Sequence, residues 1–496
     1  MTDALKSRFF SALIVFAVVL SFISCGRGNP RESKESEAGS GKNGYNANLP
    51  DVKYDGYTFR ILERDHSQGW GEKGFFDEET STVFGESVYR RNNVIESRYG
   101  IELDLQEVND TNIKGGPIYR KAFQSLSTYT DDYDLILPSV YDAITLSGFL
   151  LDLSQEEYID LDADWWSRNL NKSIAIGGKQ YFAISDAMFN DKLDSAIILF
   201  NDKILNDLNL ETPYKYVKNM TWTVDKLSEY IKGYGADVNN DGIAGYEDRY
   251  GIFFLEYSGL VVGSGVTGSH MDENGIPVLN PISSNYERIF DKLFTFVTTP
   301  YNVFNMYNYA GPQMDTYSGS SPNEVIDAIW RKFRDGDTMF CACSIECIAY
   351  YLNDMDSYGV LPYPLADENQ LTYYNRVGHT GATFITIPYT VADHNRSAII
   401  VEDLSCEAKN IICPAFYDKL LGIRSVRDDE SVEMLDLIFN EEILDLDLVY
   451  EWGAFVVRWH TLLHFGDYEI SSAYAGAWDS AQERLHNTLT VLGLID

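Results

Sequence analysis

The sequence predicts an α/β protein divided into two lobes, and three observations lead there. The chain has 496 residues, and the part beyond Pro50 exceeds what one hydrophobic core usually organises. Strand-like and helix-like stretches alternate along it, as in a parallel α/β sheet. Apolar residues make up 45% and aromatics 14%, the composition of a well-packed globular body.

The elements read in order as follows. Tyr57–Glu63 alternates like a half-buried strand. A helix follows over Ser81–Arg98, with Phe84, Val88, Ile95 and Tyr99 on one face. Ile101–Leu105 and Tyr133–Pro138 are the next strands. Ligands in such sheets bind beyond the carboxyl ends of strands, which directs attention to Arg64-Asp65-His66 and Ser139-Val-Tyr141-Asp142. Further on, Ser195–Phe200 is a buried strand, Thr223–Gly233 a helix capped by Thr223, and Gly251–Leu255 a strand. Asp428–Phe439 and Trp478–Leu494 read as helices.

The amino terminus has the layout of a secretory signal: Lys6 and Arg8, an apolar run from Phe9 to Ile23, then Ser24-Cys25. That run is shorter than the roughly 20 residues a spanning helix needs. Phe22-Ile23-Ser24-Cys25 resembles the bacterial lipobox, whose cysteine becomes the lipid-carrying first residue of the mature chain. Residues 1–24 are therefore expected to be the signal and Cys25 the lipidation site. Residues 25–49, polar and rich in Gly, Ser and charge, cannot bury enough surface to order themselves. They suit a tether to the extracellular face of a cell membrane.

A formal charge of −36 repels polyphosphates and excludes nucleic acid as a partner. Five cysteines remain after Cys25: Cys341, Cys343, Cys347, Cys406 and Cys413. An odd number rules out a complete disulfide framework, and buried free thiols are expected.

Asp237, Asn239, Asp241, the carbonyl of Ile243 and Asp248 follow the spacing of a calcium loop, with Gly242 at the sharp turn. Asp rather than Glu closes it, and a strand rather than a helix follows. A structural Ca²⁺ site is expected there. Gly263-Ser-Gly265-Val-Thr-Gly268 matches a dinucleotide fingerprint, but a hairpin-like turn follows where a helix is required. A glycine-rich loop lining a cleft is the better reading. His460 and His464 lie one helical turn apart, yet Thr461 stands where a zinc protease needs glutamate. They read as structural.

Several strings in order resemble the extracellular solute-binding proteins of family 1, the sugar-binding lipoproteins of ABC importers. They are Tyr54–Leu62, Val88–Asn93, Tyr133–Pro138, Ile176–Phe182, Thr221–Thr223, Asp237–Gly251, Ser357–Pro364 and Gln370–Tyr374. The resemblance spans nearly the whole mature chain. It implies a periplasmic-binding-protein-like fold of type II, two α/β lobes with a ligand cleft and hinge crossings between them. It places 50–190 and 340–386 in the first lobe, 191–339 and 387–496 in the second. Crossings would fall near Asp186–Ile197, Thr338–Cys343 and Thr386–Pro388. Hinge closure on a carbohydrate, read by permease subunits, is the implied mechanism, with the protein a monomer and no bond made or broken.

Sugars present apolar faces and a rim of hydroxyls, so their sites pair aromatic platforms with carboxylates. Asp65, Tyr141 and Asp186 at strand ends, with Tyr257 and Trp478 by position, are the candidate ligand residues. Trp70, Trp165 and Trp222 are further aromatics, Trp222 mainly for packing. Two other roles compete: a binding subunit of a membrane sensor or surface glycan assembly, and an extracellular carbohydrate-active enzyme.

Overall fold

The computed structural model describes residues 44–64, 83–110, 112, 114–255, 257–305, 322–352, 355, 357–378, 382–422 and 429–495. The leader, Cys25, most of the tether, Asp65 and Trp70 lie outside the described residues.

The first lobe grows from β1 (Tyr57–Arg64), α1 (Val83–Tyr99), β2 (Ile101–Val108), α2 (Pro117–Ser127) and β3 (Leu135–Ile136). β1 pairs in parallel with both β2 and β3, giving the order β2-β1-β3. Phe59, Ile61 and Leu62 of β1 are fully buried, because helices cover both faces of a parallel sheet. Beyond β3 the sheet is extended by backbone bridges from Ile136 to Thr386 and from Ile385 to Ala183. A short helix α3 (Val140–Leu146) follows β3, its first turn capped by the hydroxyl of Ser139.

The second lobe holds a mixed five-stranded sheet. Its strands are β4 (Ala196–Asn201), β5 (Tyr250–Phe254), β8 (Val303–Asn305), β9 (Thr338–Ser344) and β10 (Tyr358–Leu361), in the order β10-β4-β9-β5-β8. β9 runs antiparallel to β4 and parallel to β5. Helix α4 (Val224–Ile231) is capped by Thr223 as the sequence predicts. After β5 come α5 (Ser258–Gly263) and a hairpin of β6 (Ser269–Met271) and β7 (Pro277–Leu279). A hairpin, not a helix, thus follows the glycine-rich segment.

Two expectations about lobe membership are corrected. β9 and β10 lie within the second sheet, so 340–361 belongs to the second lobe and Thr338–Cys343 is no crossing. The first half of the 29-residue helix α6 (His394–Gly422) packs in the first lobe, with Ile399, Ile400 and Leu404 in its core, while Ile412, Cys413 and Phe416 join the core under the second sheet. It runs along α1, where Arg98 reaches Asp403 and Glu407, each at 2.6 Å. Sequence order does not disclose either fact, because strand order and helix docking are set by distant partners.

Two crossings run side by side. Segment 186–196 leads out of the first lobe, and 377–383 leads back into it. They are joined by the bridge Ser195 to Val377 and by the Gly378 N–H donating to the Asp194 carbonyl at 3.3 Å. The chain passes back to the second lobe along α6, whose Tyr417 donates its hydroxyl to Asp436 of α7 (Asp429–Asn440) at 2.9 Å. The second lobe ends with β11 (Asn375–Arg376) paired to β12 (Glu442–Ile443), α8 (Leu446–Tyr450), α9 (Phe455–Phe465) and α10 (Ile470–Val491). Trp478 therefore sits two turns inside the last helix rather than at its start.

At the amino end the Asn410 amide of α6 grips the backbone of Tyr45, accepting from its N–H at 2.8 Å and donating to its carbonyl at 3.0 Å. Among the described residues no helix is long and apolar enough to cross a membrane.

Candidate functional site

The carboxyl ends of β1, β2 and β3 converge on the face of the first lobe that meets the second. Arg64 ends β1, its guanidinium donating to the Asn112 carbonyl at 2.8 Å. Burial lowers its proton affinity, against which Asp110 and Asp142 act. Asp110 organises the loop after β2: its carboxylate accepts from the N–H groups of Asn112 and Ile118, both at 2.9 Å. Gly116 lies so close to that carboxylate that a side chain there would collide with it. Asp142, 1% exposed, accepts from the Gly115 N–H at 2.7 Å through Oδ1. Its Oδ2 is buried without a hydrogen-bond partner among the described residues. Burial raises its pKa, opposed by the Gly115 bond.

Tyr141 stands beside this group. Lys114 Nζ lies 5.4 Å from the centre of its ring. Burial pushes the phenol up to about 12, reinforced by Glu451 and opposed by Arg376. Glu451 and Arg376 belong to the second lobe, and Lys114 pairs with Glu451 at 3.1 Å. One aromatic ring is thus bordered by charges from both lobes.

The loop carrying Glu451 is held in an unusual shape. Glu451 and Ala454 have φ of 55° and 50°, left-handed values that cost side-chain-bearing residues free energy. Asp447 fixes them: its Oδ1 accepts from the Gly453 and Ala454 N–H groups at 2.5 and 3.1 Å, and its Oδ2 from Phe455 at 2.7 Å. The same carboxylate abuts Gly268, where a side chain would clash. Asp445 next to it accepts from the Gly268 N–H at 2.5 Å and the Ser269 hydroxyl at 2.8 Å. This is the structural use of the last glycine in the Gly263–Gly268 segment.

The remaining sequence-predicted residues fall as follows. Tyr257, 3% exposed, follows β5 and donates its N–H to His460 Nδ1 at 3.1 Å. Trp478 is half-buried and packs on Phe455, ring centres 5.9 Å apart. Both therefore attach to α9, and with Tyr141 they belong to one apolar cluster. Asp186 is engaged differently. Burial would raise its pKa, but Lys192 at 2.9 Å and Lys409 at 3.1 Å hold it below the usual value. Trp165 is buried, its indole N–H donating to Glu402, and Trp222 is buried with its indole N–H on the Pro362 carbonyl. His460 and His464 stack at 6.0 Å. The five described cysteines are free and buried.

The 237–248 loop is drawn in by its own side chains. Asp237 accepts from the N–H groups of Asn240 and Gly242, and Asp241 from that of Ile243. Asn240 and Gly242 are left-handed, at φ 60° and 78°. Asp248, fully buried, accepts from Val238 and Gly245 at 2.9 and 2.8 Å. Among the described residues no three His, Cys, Asp or Glu groups are placed to hold one metal ion. A cation here would have to draw the loop's carboxylates together.

Lys114, Arg376, Glu451 and Asp447 were not singled out from sequence. The one local signal was Lys114-Gly-Gly-Pro117, a turn carrying a cation ahead of a helix in a strongly acidic chain.

No family model matches the chain, and no curated protein does. Solved structures do. A sugar transporter from Rhizobium etli in an open conformation aligns at 10% identity and TM-score 0.56, covering 86% of this chain and 99% of that one. A cyclo/maltodextrin-binding protein complexed with maltotetraose aligns at 12% and 0.54, covering 88% and 98%. The GacH receptor of Streptomyces glaucescens, solved unliganded and with acarbose, aligns at 12% and 0.51, covering 87% and 99%. Near-complete coverage at such low identity speaks to architecture, and this chain has the two-lobed α/β fold of sugar-binding solute-binding proteins.

Proposed function

We propose that the protein is an extracellular solute-binding protein that captures a carbohydrate between its lobes and delivers it to the permease subunits of an ABC importer. The observation that carries the reading is Tyr141, an aromatic face at the lobe boundary bordered by Lys114, Glu451 and Arg376 from both sides. Such a ring, 7% exposed as the lobes stand and with Asp142 and Arg64 behind it, would offer a stacking platform and hydroxyl-binding groups when the lobes part. Tyr257 and Trp478 are proposed to supply further apolar surface from the second lobe, with Asp65 at the end of β1. Asp186 would contribute only by giving up one of its lysines. Cys25 is proposed as the lipid attachment point at the outer face of the membrane, the protein working as a monomer.

We further propose that Asp237, Asn239, Asp241 and the Ile243 carbonyl hold a structural Ca²⁺, with Asp248 closing the loop. The left-handed residues Asn240 and Gly242 support this, since they turn successive side chains toward one side.

Titration calorimetry against a panel of mono- and oligosaccharides, maltotetraose and acarbose included, tests the main reading. Saturable binding with no new reducing ends is the expected outcome. Release of reducing ends, or no saturable binding across the panel, overturns it.

A further inference from the structure

The first crossing is packed with charge. Asp186, Asp191 and Lys192 lie on it, Lys409 comes from the middle of α6, and Glu442 from β12 of the second lobe. Asp186, Asp191, Lys192 and Glu442 are all at least nine-tenths buried, and Lys409 is largely so. Three carboxylates face two ammonium groups, so full ionisation leaves one negative charge in excess. Buried charge without compensation is costly, and groups so placed neutralise instead.

The hydrogen bonds show where the excess falls. Asp186 has a lysine on each oxygen, Lys192 at 2.9 Å and Lys409 at 3.1 Å. Asp191 has a long contact from Lys192 Nζ to Oδ2, at 3.5 Å, and a backbone N–H of the same lysine. Its Oδ1 is buried with no hydrogen-bond partner among the described residues, and so is Oε2 of Glu442. Oε1 of Glu442 meets the Ser195 hydroxyl, which also lies 3.2 Å from the Asp191 carbonyl. Asn375, paired in register with Glu442, has both side-chain amide atoms buried without a hydrogen bond among the described residues. A neutral amide brings no charge to the balance.

We propose that the lobe crossing is a proton-binding site, in which the Asp191–Glu442 pair holds one proton at neutral pH and releases it in alkali. The ligand is the proton alone, since no three such groups here are placed for a metal ion.

Titration directions agree with this geometry. Burial pushes Glu442 up to about 8, Asp191 adds to it, and Lys192 opposes. Asp191 is raised by burial, with Lys192 opposing and Asp186 adding. Burial would lower Lys192 and Lys409, but Asp186 heads the groups that raise both, so the cations persist. Other titratable groups facing the cluster are Cys413 and Tyr417 of α6, both raised by burial. Asp194 on the crossing faces Glu346, itself pushed up to about 9 by burial. Arg376 of β11 lies within electrostatic reach of Tyr141.

The sign follows. Glu442 binds its proton more tightly folded than unfolded, where its ordinary value is 4.5. Its contribution to stability is complete below pH 4.5 and is lost as pH rises through about 8. Above that the crossing carries the unpaired charge.

The test uses the whole protein without ligand. Melting temperature is followed from pH 6 to 9.5 for wild type, Glu442→Gln and Asp191→Asn. Glu346 and Glu402 also titrate, so the readout is the difference between wild type and variant. The melting temperature of wild type is expected to fall by several degrees more than that of E442Q, which keeps the Ser195 contact without a proton to lose. Infrared difference spectra of wild type minus variant should show a carboxylic-acid carbonyl band at pH 7 that disappears by pH 9.5. Parallel melting curves, or no such band, overturn the proposal. If E442Q fails to fold, D191N answers both measurements, and if neither folds the carbonyl band is read in a Glu346→Gln, Glu402→Gln background: its persistence at pH 9.5, or its absence at pH 7, overturns the site.

Discussion

Lys114 and Glu451 meet at 3.1 Å although they belong to opposite lobes. Both are more than half exposed, so water and salt screen the pair, and such contacts are worth about 0–1 kcal/mol. The pair bridges the lobes without welding them. Glu451→Ala is expected to leave unfolding stability within about 1 kcal/mol while raising the radius of gyration of the unliganded protein in solution scattering. A stability loss beyond that range would show that the contact is structural.

Asp447 bears more. It satisfies three consecutive amides, those of Gly453, Ala454 and Phe455, at the start of α9. Asp447→Ala leaves them in a buried place and should cost on the order of 3 kcal/mol in chemical denaturation. Sugar affinity should fall alongside, since Glu451 loses its fixed position. Unchanged stability would refute the assigned role.

Glu402 gives a second acid–base prediction. It accepts the indole N–H groups of Trp165 and Trp166, each at 2.9 Å. Burial pushes it up to about 7, with both indoles opposing. Its folded value exceeds its ordinary 4.5, so its contribution is full below pH 4.5 and lost as pH rises through about 7. Glu402→Gln removes that slope and leaves one indole donor without an acceptor, a cost of about 1–3 kcal/mol. Unfolding of both proteins at pH 5 and pH 8 measures each effect.

For the 237–248 loop, chelator should lower the melting temperature of the wild-type protein and added Ca²⁺ should restore it, by mass action on the folded state. Asp241→Ala should melt alike with and without chelator. An identical wild-type curve in chelator ends the calcium proposal.

Much of the first lobe is legible in the sequence because its signals are local. The strand read at Tyr57–Glu63 runs to Arg64 and the helix read at Ser81–Arg98 is described from Val83 to Tyr99, while in the second lobe the Thr223 cap is where its hydroxyl predicts. Tyr133–Pro138 shrinks to two paired residues, since a buried apolar run does not reveal how many of its amides find a partner strand. α6 escapes notice because it is buried on several sides and interrupted by Pro414, which blurs the helical period. The site divides likewise. Tyr141 and Asp142 are visible as residues beyond a strand end. Glu451 and Arg376 are not, because only the folded chain brings residues more than two hundred positions away against α3. Asp186 shows the converse: a carboxylate at a strand end reads as a ligand, and only Lys409, from a distant helix, reveals its other use.

The grip of Asn410 on Tyr45 settles which half of the molecule moves with whatever lies upstream. The chain leaves the body from the helix that lines the first lobe, so any leash attached there holds that lobe still. If the lobes close on a ligand as proposed, the second would be the arm that swings, and the gap would open and shut without a pull on the amino end.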